Sequence, residues 1–459
     1  MSRVQQVKSR LQQVARAHKR FLRSVRRKSK LYGKRPLWTG SNTQGTVARP
    51  GPAYDGTLTH LAKHYRRLSD QDPGPRRMGA ASKPGGPALY LMVPQIFSLA
   101  HYPAEGFRFL RDLFEQLYLA KVDELVLDYH HCVRVDADAS ACMDVLLLRF
   151  LEHYRRVRKC GQGRRIRTMR VVRMTNQEVL KLWHSTGTGQ VIKGANARFP
   201  DMVSCPLSFC FKSPHRKGQK ELTTTKLVKY LVACLERFDR RLNAQDRARF
   251  SNIIGEIVTN AEDHSSLPYN YSMGHFIETK QPDGKSGGRF QCVIFNFGKT
   301  IYERLKDPHD CKNKAIIPDM ERLSRRYTEK RYFGVVDAPF EEETLWTLYA
   351  LQDGVSSIEP GRGNGTMQFI QDFLNLRSRE PNKRSVLTLL SGNTRIELDG
   401  THPPKQKITS EGDAHTVITF NASGELEDKP DAKYVTFAPP YFPGTLLYAD
   451  VYLTAEPLH

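Results

Sequence analysis

The stretch Gly255-Glu256-Ile257-Val258-Thr259-Asn260-Ala261-Glu262-Asp263-His264 decides how this chain is read. Residues 244–265 have helical periodicity, and in a helix Glu256, Asn260 and His264 fall at i, i+4 and i+8 on one face. An amide oxygen beside a carboxylate on a partly buried helix face suits a hard cation such as Mg²⁺ and the activation of an attacking hydroxyl or water. A lone Asn on such a helix is more often a satisfied polar residue, so the flanking sequence has to supply the context.

Three further motifs follow in order. Val293-Ile294-Phe295-Asn296-Phe297-Gly298-Lys299-Thr300-Ile301 reads as a strand running into a polar, glycine-containing turn. Gly361-Arg362-Gly363-Asn364-Gly365-Thr366 opens a helix that continues to Leu376. Closely spaced glycines at a helix N-terminus let backbone N–H groups converge on phosphate oxygens, and Arg362 adds a cation there. Pro443-Gly444-Thr445-Leu446-Leu447 opens the last strand. Around these motifs the pattern predicts helices over 225–242 and 244–265 and strands over 289–296, 385–390, 415–420 and 445–453.

The first stretch resembles the N-box of the GHKL ATPase superfamily, which includes the DNA gyrase and histidine kinase ATPases. Its wording E-x-V-T-N-A-x-x-H is similar to that of the anti-sigma-factor serine kinases. The resemblance implies a Bergerat α/β sandwich that binds ATP and Mg²⁺. It implies that Glu256 is the catalytic general base, that Asn260 coordinates Mg²⁺, and that His264 sits near the phosphates. Asn296 and Gly298 take the place of the family's first glycine box, whose Asp accepts a hydrogen bond from the adenine amino group. Here that Asp is Asn296, and the box's second glycine is Thr300. An amide oxygen still accepts one bond but carries no charge. Gly361, Arg362, Gly363, Gly365 and Thr366 match the second glycine box, and Thr445 the threonine that helps hold the adenine-binding water. Residues 302–360, with Arg322, Arg325, Arg326, Lys330 and Arg331 followed by Glu341–Glu343, occupy the place of the family's ATP lid. More often such a charge run is a solvated helix face.

Residues 88–200 alternate strand and helix, with strands expected at 88–93, 124–129 and 169–174 and helices at 107–119 and 139–157. Glu124-Leu125-Val126-Leu127-Asp128, followed by Val135-Asp136-Ala137-Asp138-Ala139-Ser140, resembles a STAS domain, the fold of anti-sigma-factor antagonists. The resemblance puts the usual phosphorylated serine at Asp138. That carboxylate either imitates a phosphoserine weakly or is a helix N-terminal residue favoured by the dipole.

The net charge is +23, and the excess is polarised: the first fifty residues contain fourteen Lys and Arg and neither Asp nor Glu. Residues 3–30 read as a basic amphipathic helix, with Val4, Val7, Leu11, Val14, His18, Phe21 and Val25 at alternating threes and fours. Residues 1–37 are thus a candidate contact for nucleic acid or another phosphate-bearing surface, or a helix that packs on protein. No apolar run approaches the roughly 18 residues that would span a bilayer, and the basic N-terminus lacks the apolar core of a secretory signal. Eight scattered cysteines with no C-x-x-C pair read as reduced thiols. A cytoplasmic location is expected.

The fold expected is therefore α/β: a basic helical extension and linker over 1–87, a STAS-like β-α-β domain over 88–215, and a GHKL domain over 216–459. The function expected is a Mg²⁺–ATP-dependent signalling protein with a protein partner, acting as an ATPase or as a kinase of protein hydroxyls. The alternatives are a non-catalytic interaction protein with a degenerate nucleotide pocket, motivated by Asn296 and Thr300, and a nucleic-acid-associated ATPase acting through residues 1–37.

Overall fold

The computed structural model describes residues 57–71, 80–83, 86–119, 124–159, 168–189, 198–211, 218–263, 265–280, 286–328, 340–353, 355, 364–376, 385–408 and 414–454. The basic helix expected over 3–30 and the proposed contact at 1–37 lie outside the described residues.

In chain order the first half supplies α1 (Thr57–Gln71), β1 (Ala80–Lys83), β2 (Gly86–Met92), β3 (Ile96–Phe97), α2 (Pro103–Leu119), β4 (Glu124–Asp128), β5 (Arg134–Val135), α3 (Ala137–Lys159), β6 (Thr168–Val172) and α4 (Gln177–Ser185). Strands β2, β4 and β6 pair in parallel, and β1 adds antiparallel to β2. Helices α2 and α3 are the crossovers that parallel pairing requires.

The second half supplies β7 (Met202–Phe211), α5 (Gln219–Leu235), α6 (Ala244–Asp263), β8 (Tyr269–Lys280), β9 (Ser286–Phe297), α7 (Ile301–Lys306), α8 (Ile316–Thr328), α9 (Glu342–Tyr349), α10 (Asn364–Leu376), β10 (Val386–Leu398), β11 (Lys405–Ile408), β12 (Ala414–Val417) and β13 (Val435–Thr454). Five of these strands form an antiparallel sheet in the order β10-β13-β9-β8-β7. Among the described residues the molecule is thus mixed α/β, with a largely parallel sheet, a larger antiparallel one, and two two-stranded pairs, β3 with β5 and β11 with β12.

Both faces of the antiparallel sheet are covered, and the period of two along β9 shows how. Phe290, Cys292 and Ile294 join a core with α5, α6, α9 and α10. Val293, Phe295 and Phe297 join a second core with α1, α2 and α3, which reaches on to Leu89, Leu125 and Leu127 of the parallel sheet. Residues 135–147, including the first half of α3, are buried without interruption. Ala137, Ala139, Ala141 and Cys142 are small enough for that helix to be packed all round.

Two expectations are corrected here, and a third holds in part. Residues 202–211, assigned by sequence to the 88–215 module, are the edge strand of the antiparallel sheet, paired with β8. The helix expected over 225–242 runs from Gln219 to Leu235 and ends in a single 3-10 turn, after which Asp239 turns at φ +56. The charged stretch is a solvated face where its charges lie, with Arg322, Arg325 and Glu341 exposed, but the α9 residues that follow, Thr344 to Tyr349, are buried.

Candidate functional site

Helix α6 forms on an apolar stripe of Phe250, Ile253, Ile254, Ile257 and Val258, spaced to cover one face. Glu256 and Asn260 flank this stripe and are half-buried, one helical turn apart. Helix α10 lies antiparallel to it. Near one end Arg249 of α6 forks onto Asp372 of α10, with Nε at 2.7 Å from Oδ2. Near the other, Asn260 Nδ2 lies 3.5 Å from Oγ1 of Thr366, in the first turn of α10. Asn260 therefore stands beside a helix N-terminus, where unpaired N–H groups and the helix dipole favour an anion.

The next residue of α6 reaches the sheet. Asn296, at the end of β9, donates Nδ2–H to the Ala261 carbonyl at 2.9 Å. Asn296 is 2% exposed, and its Oδ1 is buried without a hydrogen-bond partner. Across the ladder it pairs with Thr445 on β13. Thr445 Oγ1 lies 3.1 Å from Ser391 Oγ, which also accepts the Ile301 N–H at 2.9 Å. The last turn of α6 thus touches both Asn296 with its Thr445 neighbour and the start of α10.

Two glycines let the strands close here. Gly298 sits at φ +143 and donates its N–H to the Pro443 carbonyl at 3.0 Å. Gly444 sits at φ +154, and a Cβ there would come within 2.0 Å of the Asn296 carbonyl oxygen. Thr300, which stands where the resemblance implies glycine, is the N-cap of α7: its side chain accepts from Glu303 N–H, and the Glu303 side chain accepts in return from Thr300 N–H.

Of the residues picked out by sequence, Asn260, Asn296, Thr366 and Thr445 lie on one side of the antiparallel sheet, around the end of α6, with Glu256 one turn earlier on that helix; Gly298 follows the end of β9, against Pro443. Gly365 is in the first turn of α10. His264, Gly361, Arg362 and Gly363 lie outside the described residues.

A second polar cluster lies on the opposite face of the same sheet. Arg134 forks onto Asp136, with Nε and Nη2 each at 2.8 Å. Arg289 on β9 reaches Asp136 at 2.9 Å and Asp450 on β13 at 2.8 Å, and His101 meets Asp450 at 2.8 Å. Gln291 donates to Asp136 at 3.1 Å and accepts the Ala137 N–H at 3.0 Å, capping α3. Burial would raise the Asp136 carboxyl, but Arg289 and Arg134 overcome it and hold it below the usual range. His101, Asp136 and Asp450 bring potential metal ligands within 4.8 Å of one another. Two guanidinium groups already neutralise those carboxylates, which makes this a buried ion-pair network. Sequence reading missed it, although Arg289 and Gln291 alternating with Phe290 and Cys292 mark a polar patch on one face of β9.

Asp138 is fully buried. It accepts the Leu99 and Ala100 N–H groups at 3.0 and 2.7 Å and that of Ala139 at 2.6 Å. It is a structural residue of the α3 N-terminus, sealed on the face away from Asn260. The seven described cysteines are buried free thiols, and no helix among the described residues is long and apolar enough to cross a membrane.

Comparison of the chain with protein-family models, with curated proteins and with solved structures finds no match.

Proposed function

We propose that this chain is a Mg²⁺–ATP-binding switch of the GHKL type, joined to a STAS-like module that packs on the back of its sheet. One observation supports this above the others: a single helical turn, Asn260-Ala261, meets the α10 N-terminus on one side and Asn296 on the other. These are the places that the phosphates and the base of one nucleotide would take.

The residues present fit the group. A buried acceptor with no partner, Asn296 Oδ1, suits the exocyclic amine of adenine. The carboxamide of Asn260 supplies the oxygen ligand that Mg²⁺ favours, and the first turn of α10 supplies N–H donors for phosphate. When bound, Mg²⁺ neutralises charge on the transferring phosphoryl group. Glu256, one turn before Asn260, takes the role of general base toward a water or a hydroxyl. The acceptor hydroxyl belongs to water or to a partner protein, because Asp138 and Ser140 at the start of α3 are buried on the other face of the sheet.

Titration calorimetry with Mg–ATP tests this reading. Asn260→Ala should abolish Mg²⁺-dependent binding while the thermal unfolding midpoint stays near that of the wild type. Equal affinity in the two proteins would remove Asn260 from the site.

A further inference from the structure

Helix α1 lies outside every motif described above, yet it contacts the Asn296–Thr445 end of the site. It packs on β13 and β9. His60 Nε2 lies 3.2 Å from the Pro443 carbonyl oxygen. That carbonyl is also the acceptor for Gly298 N–H, at 3.0 Å. Gly298 stands two residues beyond Asn296, and Pro443 two residues before Thr445, so this one oxygen joins the two arms that hold the pair in register. Neither arm is stiff by itself, since each has a glycine at positive φ. One turn further along α1, His64 stacks on Tyr441 with ring centroids 4.9 Å apart and also meets the His60 ring at 4.5 Å. Helix α1 therefore grips residues 441–443 at two points. Burial holds the His60 imidazole below its usual range, so the ring is neutral at pH 7 and donates one N–H to Pro443.

We infer that His60 is a positioning residue for the base end of the nucleotide site, acting through the Pro443 carbonyl. The inference rests on the nucleotide reading proposed above. It adds that a helix preceding both modules sets the affinity for the base and leaves the phosphate end untouched. Asn260 and Thr366 belong to α6 and α10, on the other side of the sheet from α1.

The test compares Mg²⁺-dependent binding of ATP and of inorganic tripolyphosphate, which lacks a base, to full-length wild type, His60→Ala and His60→Gln. His60→Ala should bind ATP about five- to tenfold more weakly, the worth of one neutral hydrogen bond. Its tripolyphosphate affinity should be unchanged. His60→Gln, whose amide also donates, should recover most of the ATP affinity. His60→Met, which keeps the bulk of the side chain but has no N–H or O–H donor, gives the same comparison if the alanine variant fails to fold. Equal ATP affinity in wild type and His60→Ala would overturn the inference while leaving the nucleotide reading standing. Parallel losses for both ligands, with no rescue by Gln, would overturn it in favour of general structural support. A wild type that binds neither ligand removes the nucleotide reading and this inference with it.

Discussion

At the scale of single residues, the two departures from the resembled pattern each have a local physical reason. Thr300 caps α7, a task glycine performs less well for want of a side-chain acceptor. Asn296 faces the backbone carbonyl of Ala261, to which a carboxamide donates and an ionised carboxylate cannot. Placing aspartate at this position should therefore harm the protein. Asn296→Asp places a carboxyl in a site that is 2% exposed, where it must be protonated to keep the bond. A loss of about 1–3 kcal/mol of unfolding free energy is expected in urea titrations at pH 7. Because burial raises the folded-state pKa above the unfolded one, that loss should be small below the unfolded value and grow as pH rises through the folded one. A variant as stable as wild type from pH 5 to pH 8 would contradict the role given to the Ala261 carbonyl. Sequence alone identified Asn296 and Thr300 as departures, but the partners that explain them are 35 residues away for Asn296 and 3 for Thr300. Only the second was within reach of local pattern reading.

At the scale of elements, β9 does two jobs through its alternation. One face sends Asn296 toward α6, and the other sends Arg289 and Gln291 into the cluster that receives the N-terminus of α3. Arg289→Ala strips the buried carboxylates of Asp136 and Asp450 of a shared partner. Breaking a buried ion pair from one side costs about 3–5 kcal/mol, and a loss of that order is expected in denaturant unfolding. A change under about 1 kcal/mol would mean that Arg134, His101 and solvent suffice. Helix α6 was legible because its apolar stripe and its polar triad share one period. The edge strand β7 was not: Pro206 interrupts its pattern, and the register shifts between Cys205 and Ser208. An edge strand tolerates such a proline because one side of its backbone needs no ladder partner. Helix α9 was read as the end of a charged run because Glu341, Glu342 and Glu343 dominate its start, whereas Leu345, Trp346 and Leu348 bury it.

At the scale of the whole molecule, the alternation of strands and helices along the chain was enough to expect a mixed α/β architecture of two modules. It did not indicate that α1 of the extension, with α2 and α3 of the first module, would fill the back of the second module's sheet, because such packing depends on contacts hundreds of residues apart, such as His101 with Asp450. The consequence is functional. The turn that resembles a phosphoacceptor is internal, and the site proposed for the nucleotide lies on the opposite face, around Asn260, Thr366, Asn296 and Thr445. The most direct test is a crystal structure of the full chain with Mg²⁺ and a non-hydrolysable ATP analogue. The account predicts the adenine amine at hydrogen-bonding distance from Asn296 Oδ1, Mg²⁺ on the Asn260 side-chain oxygen, and phosphates at the first turn of α10. A nucleotide bound on another surface, or no nucleotide at saturating concentration, would contradict it.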